Sequence, residues 1–138
     1  TDNKYLMSQS GDYETLYWDV RGCKQITSIQ VIRDIQWHTN TCTLSFNTLG
    51  IWHSKSVQNQ SSESVDGTDI NACCASKNNL ISVDDFGHVN LFKYPCNSFS
   101  AEKKVYTGHS SHVTNVSFIN NDSGVVTTGG NDTAIFQW

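Results

Sequence analysis

The chain has 138 residues, five cysteines, one proline and a formal net charge of −4. That length suits one ordinary domain, and sparse charge with an acidic balance argues against a nucleic-acid surface. No apolar run approaches the ~20 residues of a membrane helix, no signal peptide or basic targeting segment opens the chain, and an odd cysteine count without Cys-x-x-Cys spacing reads as buried or half-exposed thiols in a reducing compartment.

In chain order, the first element is an eleven-residue unit, Ser8–Trp18 (SQSGDYETLYW), followed by Asp19 and by Gln25–Ser28 as an outer strand. Ile35–Trp37, Thr43–Phe46 and Ile51-Trp52 then read as the strands of a degenerate unit that lacks a tight-turn Asp. His53–Val65 is an aperiodic polar stretch and reads as a solvated loop. Ile70, Ala72 and Cys74 alternate on one face of a strand. Lys77–Asn79 turns, Leu80–Val83 returns, and Asp84–Gly87 turns again. His88–Tyr94 is the third strand of this unit and Val105–Thr107 its outer one. Gly108-His109 opens the last unit. There Thr114, Val116 and Phe118 share a face, Val125–Thr128 is a β-branched second strand, Gly129–Asp132 turns, and Thr133–Trp138 is the third strand.

The unit repeats. Ser82–Phe92 (SVDDFGHVNLF) and Thr128–Trp138 (TGGNDTAIFQW) match Ser8–Trp18 without a gap, each running from a hydroxyl residue to an aromatic. Trp18, Trp52, Phe92 and Trp138 are spaced by 34, 40 and 46 residues, close to the roughly 40–45 residues of a four-stranded blade. Gly-His before a unit and Trp-Asp after one are the punctuation of a WD40 propeller. The expected fold is therefore all-β: blades of four-stranded antiparallel meanders, about three of them, making an incomplete propeller. The expected bounds are a blade end at 1–29, a degenerate blade at 31–56 with a polar loop at 53–65, a blade at 68–107 and an incomplete blade at 108–138.

His109, Asp132 and Thr128 resemble a Ser-His-Asp triad in composition, which would make the chain a hydrolase. In a WD40 blade the same types form a structural network with Trp138, because a buried polar group left unpaired costs about 1–3 kcal/mol. The repeat supplies a reason for each of these residues, and no Gly-x-Ser-x-Gly elbow is present. No catalytic residue is therefore assigned. His109 and His112 are three apart but have no matching Cys or carboxylate pair, so no metal is expected. No Gly-rich loop opens a helix, so no phosphate-bearing cofactor or small-molecule substrate is expected.

Four blocks carry a closer resemblance: Gly11–Glu14 with Leu16–Asp19; Gly50–Trp52 with Asp66–Ala72; Asp84–Gly87 with Leu91-Phe92 and Tyr94–Cys96; and Gly108–Val116 with Thr128–Thr133. Together they resemble the C-terminal part of the tandem atypical propeller of the echinoderm microtubule-associated protein-like family, from about Tyr5 to Trp138. His53–Val65 departs from it in being longer and Ser-rich. The resemblance implies a non-enzymatic cytoplasmic and cytoskeletal protein whose partners are tubulin or microtubules and other proteins, with no nucleic acid or membrane. Candidate contact loops are Asp66 and Asp69, and Ser110 and Ser111, since loops on a rigid scaffold usually carry recognition. A WD40 scaffold unrelated to the cytoskeleton is the alternative that the fold permits.

An open arc of blades leaves strand edges bare. The 138-residue chain expressed alone is therefore expected to aggregate, self-associate or need the remaining blades; a monodisperse monomer in sedimentation velocity with a sharp melt would contradict this.

Overall fold

Ten strands in three antiparallel sheets carry the described residues, 3–52 and 70–138, of the computed structural model. The first sheet holds β1 (Tyr5–Gln9), β2 (Thr15–Asp19) and β3 (Lys24–Gln25) in that order. The second runs β4 (Ile70–Ala75), β5 (Asn79–Asp84), β6 (His88–Lys93) and β7 (Lys103–Thr107). The third contains β8 (Val113–Ile119), β9 (Gly124–Gly129) and β10 (Ile135–Gln137). Each strand pairs with its neighbour in sequence, so every sheet is a meander joined by short turns. The fold is all-β, an incomplete propeller.

The second and third sheets pack through Ile81, Val83 and Val89 against Val113, Val116 and Val125. These are β-branched or branched side chains on pleated faces. Val83 and Val113 are wholly buried, worth about 1.5–3 kcal/mol each in transfer terms. On its other face the second sheet buries Ile70, Cys73, Leu80 and Phe92 with Ile51 and Cys96. A thiol in this layer is inert: burial first, then the neighbouring Cys42 and Cys74, pushes Cys73 up to about 12. Cys23 departs from expectation in being exposed.

Two β-bulges correct the simple alternation read from sequence. One falls between Ile70 and Ala72, and the other between Val113 and Asn115. Ile70 therefore shares its layer with Cys73, while Ala72 and Cys74 face the third sheet. Val113 is buried and Thr114 exposed, so Thr114 does not join Val116 and Phe118 on the inner face. A bulge re-aims a side chain. The extra residue of the first, Asn71, sends its amide to Asp85 Oδ1 (2.7 Å) in its own sheet and to the Val113 carbonyl (2.9 Å) in the next.

The described part of the degenerate blade, 31–52, is not a sheet. Among the described residues, 26–52 contain no strand, only the four-residue helix α1 (Ile29–Ile32) and a single 3₁₀ turn at Leu49–Ile51. The Thr48 hydroxyl, beside the expected Thr43–Phe46 strand, bonds the backbone locally, and such bonds compete with ladders. Thr48 Oγ1, wholly buried, accepts from the Ser45 N–H (2.9 Å) and donates to the Thr43 carbonyl (2.9 Å), which also takes the Trp52 indole N–H (2.8 Å). The segment bridges two sheets. Thr15 Oγ1 donates to the Leu44 carbonyl (2.8 Å), and the Tyr17 ring lies near those of Trp37 and Phe46. On the other side, the Gly50 N–H reaches the Cys96 carbonyl (2.8 Å) and the Ala75 N–H the Asn40 carbonyl (3.1 Å).

Gly87, at φ +81°, ends the β5–β6 hairpin against the segment leading into β8. A Cβ there would lie 2.8 Å from the His109 carbonyl oxygen. Gly87→Ala combines left-handed strain with a backbone clash. It should lower the local opening free energy of β5 and β6 by more than about 1 kcal/mol, read by hydrogen exchange.

Candidate functional site

His109 lies between β7 and β8, held in place by a chain of polar contacts that crosses the third sheet. Its Nδ1 is 2.8 Å from Asp132 Oδ2, and its Nε2 is 2.7 Å from Thr127 Oγ1. The Trp138 indole N–H donates to the same Thr127 oxygen at 2.9 Å. The Asp132 carboxylate can only accept, so Nδ1 carries a proton, and in the neutral imidazole Nε2 then accepts from the Thr127 hydroxyl. The donors run one way, from Trp138 through Thr127 and His109 to Asp132. The His109 side chain is buried, Asp132 is 6% exposed and Thr127 is wholly buried. The Phe136 ring stands edge-on to His109, centroids 4.6 Å apart.

The Asp132 turn is shaped for this role. Its Oδ2 also accepts the Ser110 N–H (3.2 Å) and its Oδ1 the Ala134 N–H (3.2 Å). A Cβ on Gly129 would collide with the Asp132 carboxylate. The hydrogen bond from His109, helped by these two N–H groups, holds the Asp132 carboxyl below its ordinary value, against desolvation.

The hydroxyl in the network is Thr127, not Thr128, and the register explains the difference. Ser8 pairs with Leu16, Ser82 with Asn90 and Thr127 with Phe136, each partner two residues before the closing aromatic. The β9–β10 hairpin is one residue longer than the other two, so a gapless match slides by one. Thr128 faces the other way and meets the bulge residue, with the Thr114 hydroxyl 2.9 Å from its carbonyl and its Oγ1. Val125 and Thr127 share one buried face, which the run Val125-Val126-Thr127-Thr128 does not reveal in sequence. In the first sheet the Trp18 indole donates to Ser8 Oγ (2.9 Å), the equivalent bond. In the second, Phe92 offers no N–H, and Asp84 instead accepts from the Phe86 and His88 N–H groups (3.0 and 2.9 Å) and the Asn90 amide (3.0 Å).

As chemistry the network is closed. A nucleophilic hydroxyl needs a lone pair open to a substrate; Thr127 has no exposed surface and already accepts from Trp138. Among the described residues no three His, Cys, Asp or Glu side chains gather as a metal site, and no helix is long and apolar enough to cross a membrane. Ser110 is exposed, and Ser111, half-buried, lies 3.0 Å through its Oγ from His112 Nδ1. Asp66, Asp69 and the 53–65 stretch lie outside the described residues.

The family model described as the echinoderm microtubule-associated protein second β-propeller matches residues 1–138. Echinoderm microtubule-associated protein-like 1 of Rattus norvegicus is 51% identical over 99% of this chain and 16% of its own length. Echinoderm microtubule-associated protein-like 2 of the same species is 52% identical over 99% and 20%, and the Homo sapiens like-4 protein 51% identical over 99% and 13%. The chain thus spans a fifth or less of these relatives. The solved structure of the computationally designed Ika4 protein covers all of this chain at 17% identity and a TM-score of 0.41, too loose a likeness to bear on fold or function.

Thr127→Val should lower the opening free energy of the β9 amides by about 1–3 kcal/mol, whereas Thr128→Val changes it by no more than about 0.5 kcal/mol. Hydrogen exchange separates the two. A carboxyl depressed in the folded state contributes stability that is full above its unfolded value, about 4, and is lost as pH falls through the folded value. Acid unfolding below about pH 4 should therefore be shallower in Asp132→Asn than in wild type.

Proposed function

The chain belongs to the echinoderm microtubule-associated protein-like family, as part of its second β-propeller, and we propose that it is a non-catalytic propeller segment through which its protein associates with tubulin or microtubules. The observation that carries this reading is identity of about half, over 99% of the chain, to proteins named for microtubule association. The buried relay supports the non-enzymatic half of it, since its histidine, aspartate and threonine are committed to one another. The reading places the protein in the cytoplasm on the microtubule cytoskeleton, with a WD40-type repeat as scaffold. A hydrolase at His109 and Asp132 is disfavoured by the enclosed Thr127.

The contact surface we assign is the hairpin end of the second and third sheets, comprising Ser110, Ser111 and the neighbouring Phe86. Phe86 is 65% exposed, next to Gly87, which abuts the His109 and Ser111 carbonyls. An exposed aromatic on a fixed turn is suited to be an anchor at an interface.

The full-length protein should co-sediment with polymerised tubulin. Phe86→Ala, a surface change that leaves the fold intact, should weaken this roughly tenfold. Full-length protein that stays in the supernatant at every tubulin concentration would contradict the reading.

A further inference from the structure

The outer strand of the second sheet is exposed along its whole length and carries a second surface. All five residues of β7, Lys103–Thr107, are exposed, with Val105 47% and Tyr106 41% accessible. β7 ends the sheet order, so one side of its backbone faces away from β6. At its start the basic pair Lys103-Lys104 follows Glu102, and the local charge is net positive once Lys93 is counted. Lys103 pairs in register with Phe92, and Lys93 follows Phe92, so Lys93, Lys103 and Lys104 stand together. Among the described residues neither Lys93 nor Lys104 makes an ion pair.

The register also fixes what each face of β7 overlooks. Lys104 lies across from Leu91 and Tyr106 across from Val89. Leu91, Val89 and Tyr106, with Ile81, Phe118 and Trp138, line a largely apolar cleft of about 270 Å³ between the second and third sheets, in which Asp122 is the one carboxylate. The Tyr106 and Trp138 rings are 6.2 Å apart across it. One face of β7 therefore presents a cation at Lys104 and, two residues on, the aromatic lip of the cleft at Tyr106.

We propose that β7 is a docking edge for an acidic, extended segment of a partner protein, which adds to the sheet as a strand. That strand places a carboxylate beside Lys104 and a bulky apolar side chain, two residues away on the same face, over the cleft beside Tyr106. Main-chain hydrogen bonds supply affinity in such strand addition, and alternate side chains supply selectivity. Lysines on an edge strand discourage pairing with a second copy of the same edge; the same charges favour a strand of opposite sign. This surface is separate from the hairpin end assigned above, so either can fail alone.

The test uses the full-length protein and a fluorescein-labelled peptide repeating Glu-Thr-Val-Thr, read by anisotropy. Glu and Val alternate on one face of this probe when it is extended. Binding should fall at least roughly tenfold in a Lys93→Glu, Lys104→Glu variant. It should fall less than about threefold in an Arg21→Glu, Lys24→Glu variant of equal net charge, both at the β2–β3 turn of the first sheet. A probe of unchanged charge with Pro in place of each Val should bind no better than background, because it cannot complete a ladder. Absence of binding to wild type, as when another strand of the protein already covers β7, would overturn the proposal. So would equal losses in the two charge variants, or retained binding of the proline probe.

Discussion

The imidazole of His109 is buried and needs partners that water does not supply, and the Thr127 hydroxyl serves both it and the indole N–H of the partly exposed Trp138. A buried polar group without a partner costs as much as several good contacts contribute. The relay therefore has to be complete or absent. Completing it fixes three things: the entry of the chain into the third sheet, the shape of the β9–β10 hairpin through Asp132, and the position of β10. The Ser8–Trp18 bond in the first sheet repeats its core. The second sheet shows what replaces it when an aromatic without an N–H closes the unit: Asp84 turns inward to two backbone N–H groups and Asn90.

Around this constraint, neighbouring sheets are joined by two different means. The second and third meet through a layer of valines and isoleucines, with Asn71 spanning the top of the seam to Asp85 and Val113. The first and second are joined by residues 26–52, which have no ladder and are held by the Thr48 hydroxyl bonded to nearby backbone and by the Asn40 amide bonded to the Ser45 hydroxyl. The Tyr94 hydroxyl accepts from both Asn40 and Asn47 at this joint (3.3 and 3.2 Å). Polar joints of this kind depend on local geometry at every atom, whereas the apolar seam depends on shape and volume.

That contrast explains what was legible in the sequence. The hairpins were, because an eleven-residue unit ending in an aromatic records both a register and a turn. The residue five places before each closing aromatic, Tyr13, Gly87 or Thr133, has positive φ in all three. The identity of the relay's hydroxyl was not, because a one-residue difference in hairpin length is silent in a gapless comparison. The bulges at Asn71 and Thr114 were also hidden; they break alternation without changing composition. Residues 35–52 carry β-formers such as Ile35, Thr43 and Phe46, yet Thr48 and Ser45 divert the backbone, and only the surrounding sheets decide between the outcomes.

Function follows from the same commitments. Side chains that look reactive in a list are held in pairs by the fold, and the surfaces left for partners are exposed turns and edges. The most direct measurement of this account is a double-mutant cycle between Thr127→Val and Trp138→Phe in the full-length protein, read from hydrogen exchange of the β9 amides. A shared hydrogen bond predicts a coupling of about 0.5–3 kcal/mol, with the second substitution costing little once the first is made. Strictly additive costs would show that the two side chains do not act through one another, and the relay would not be what holds the sheet.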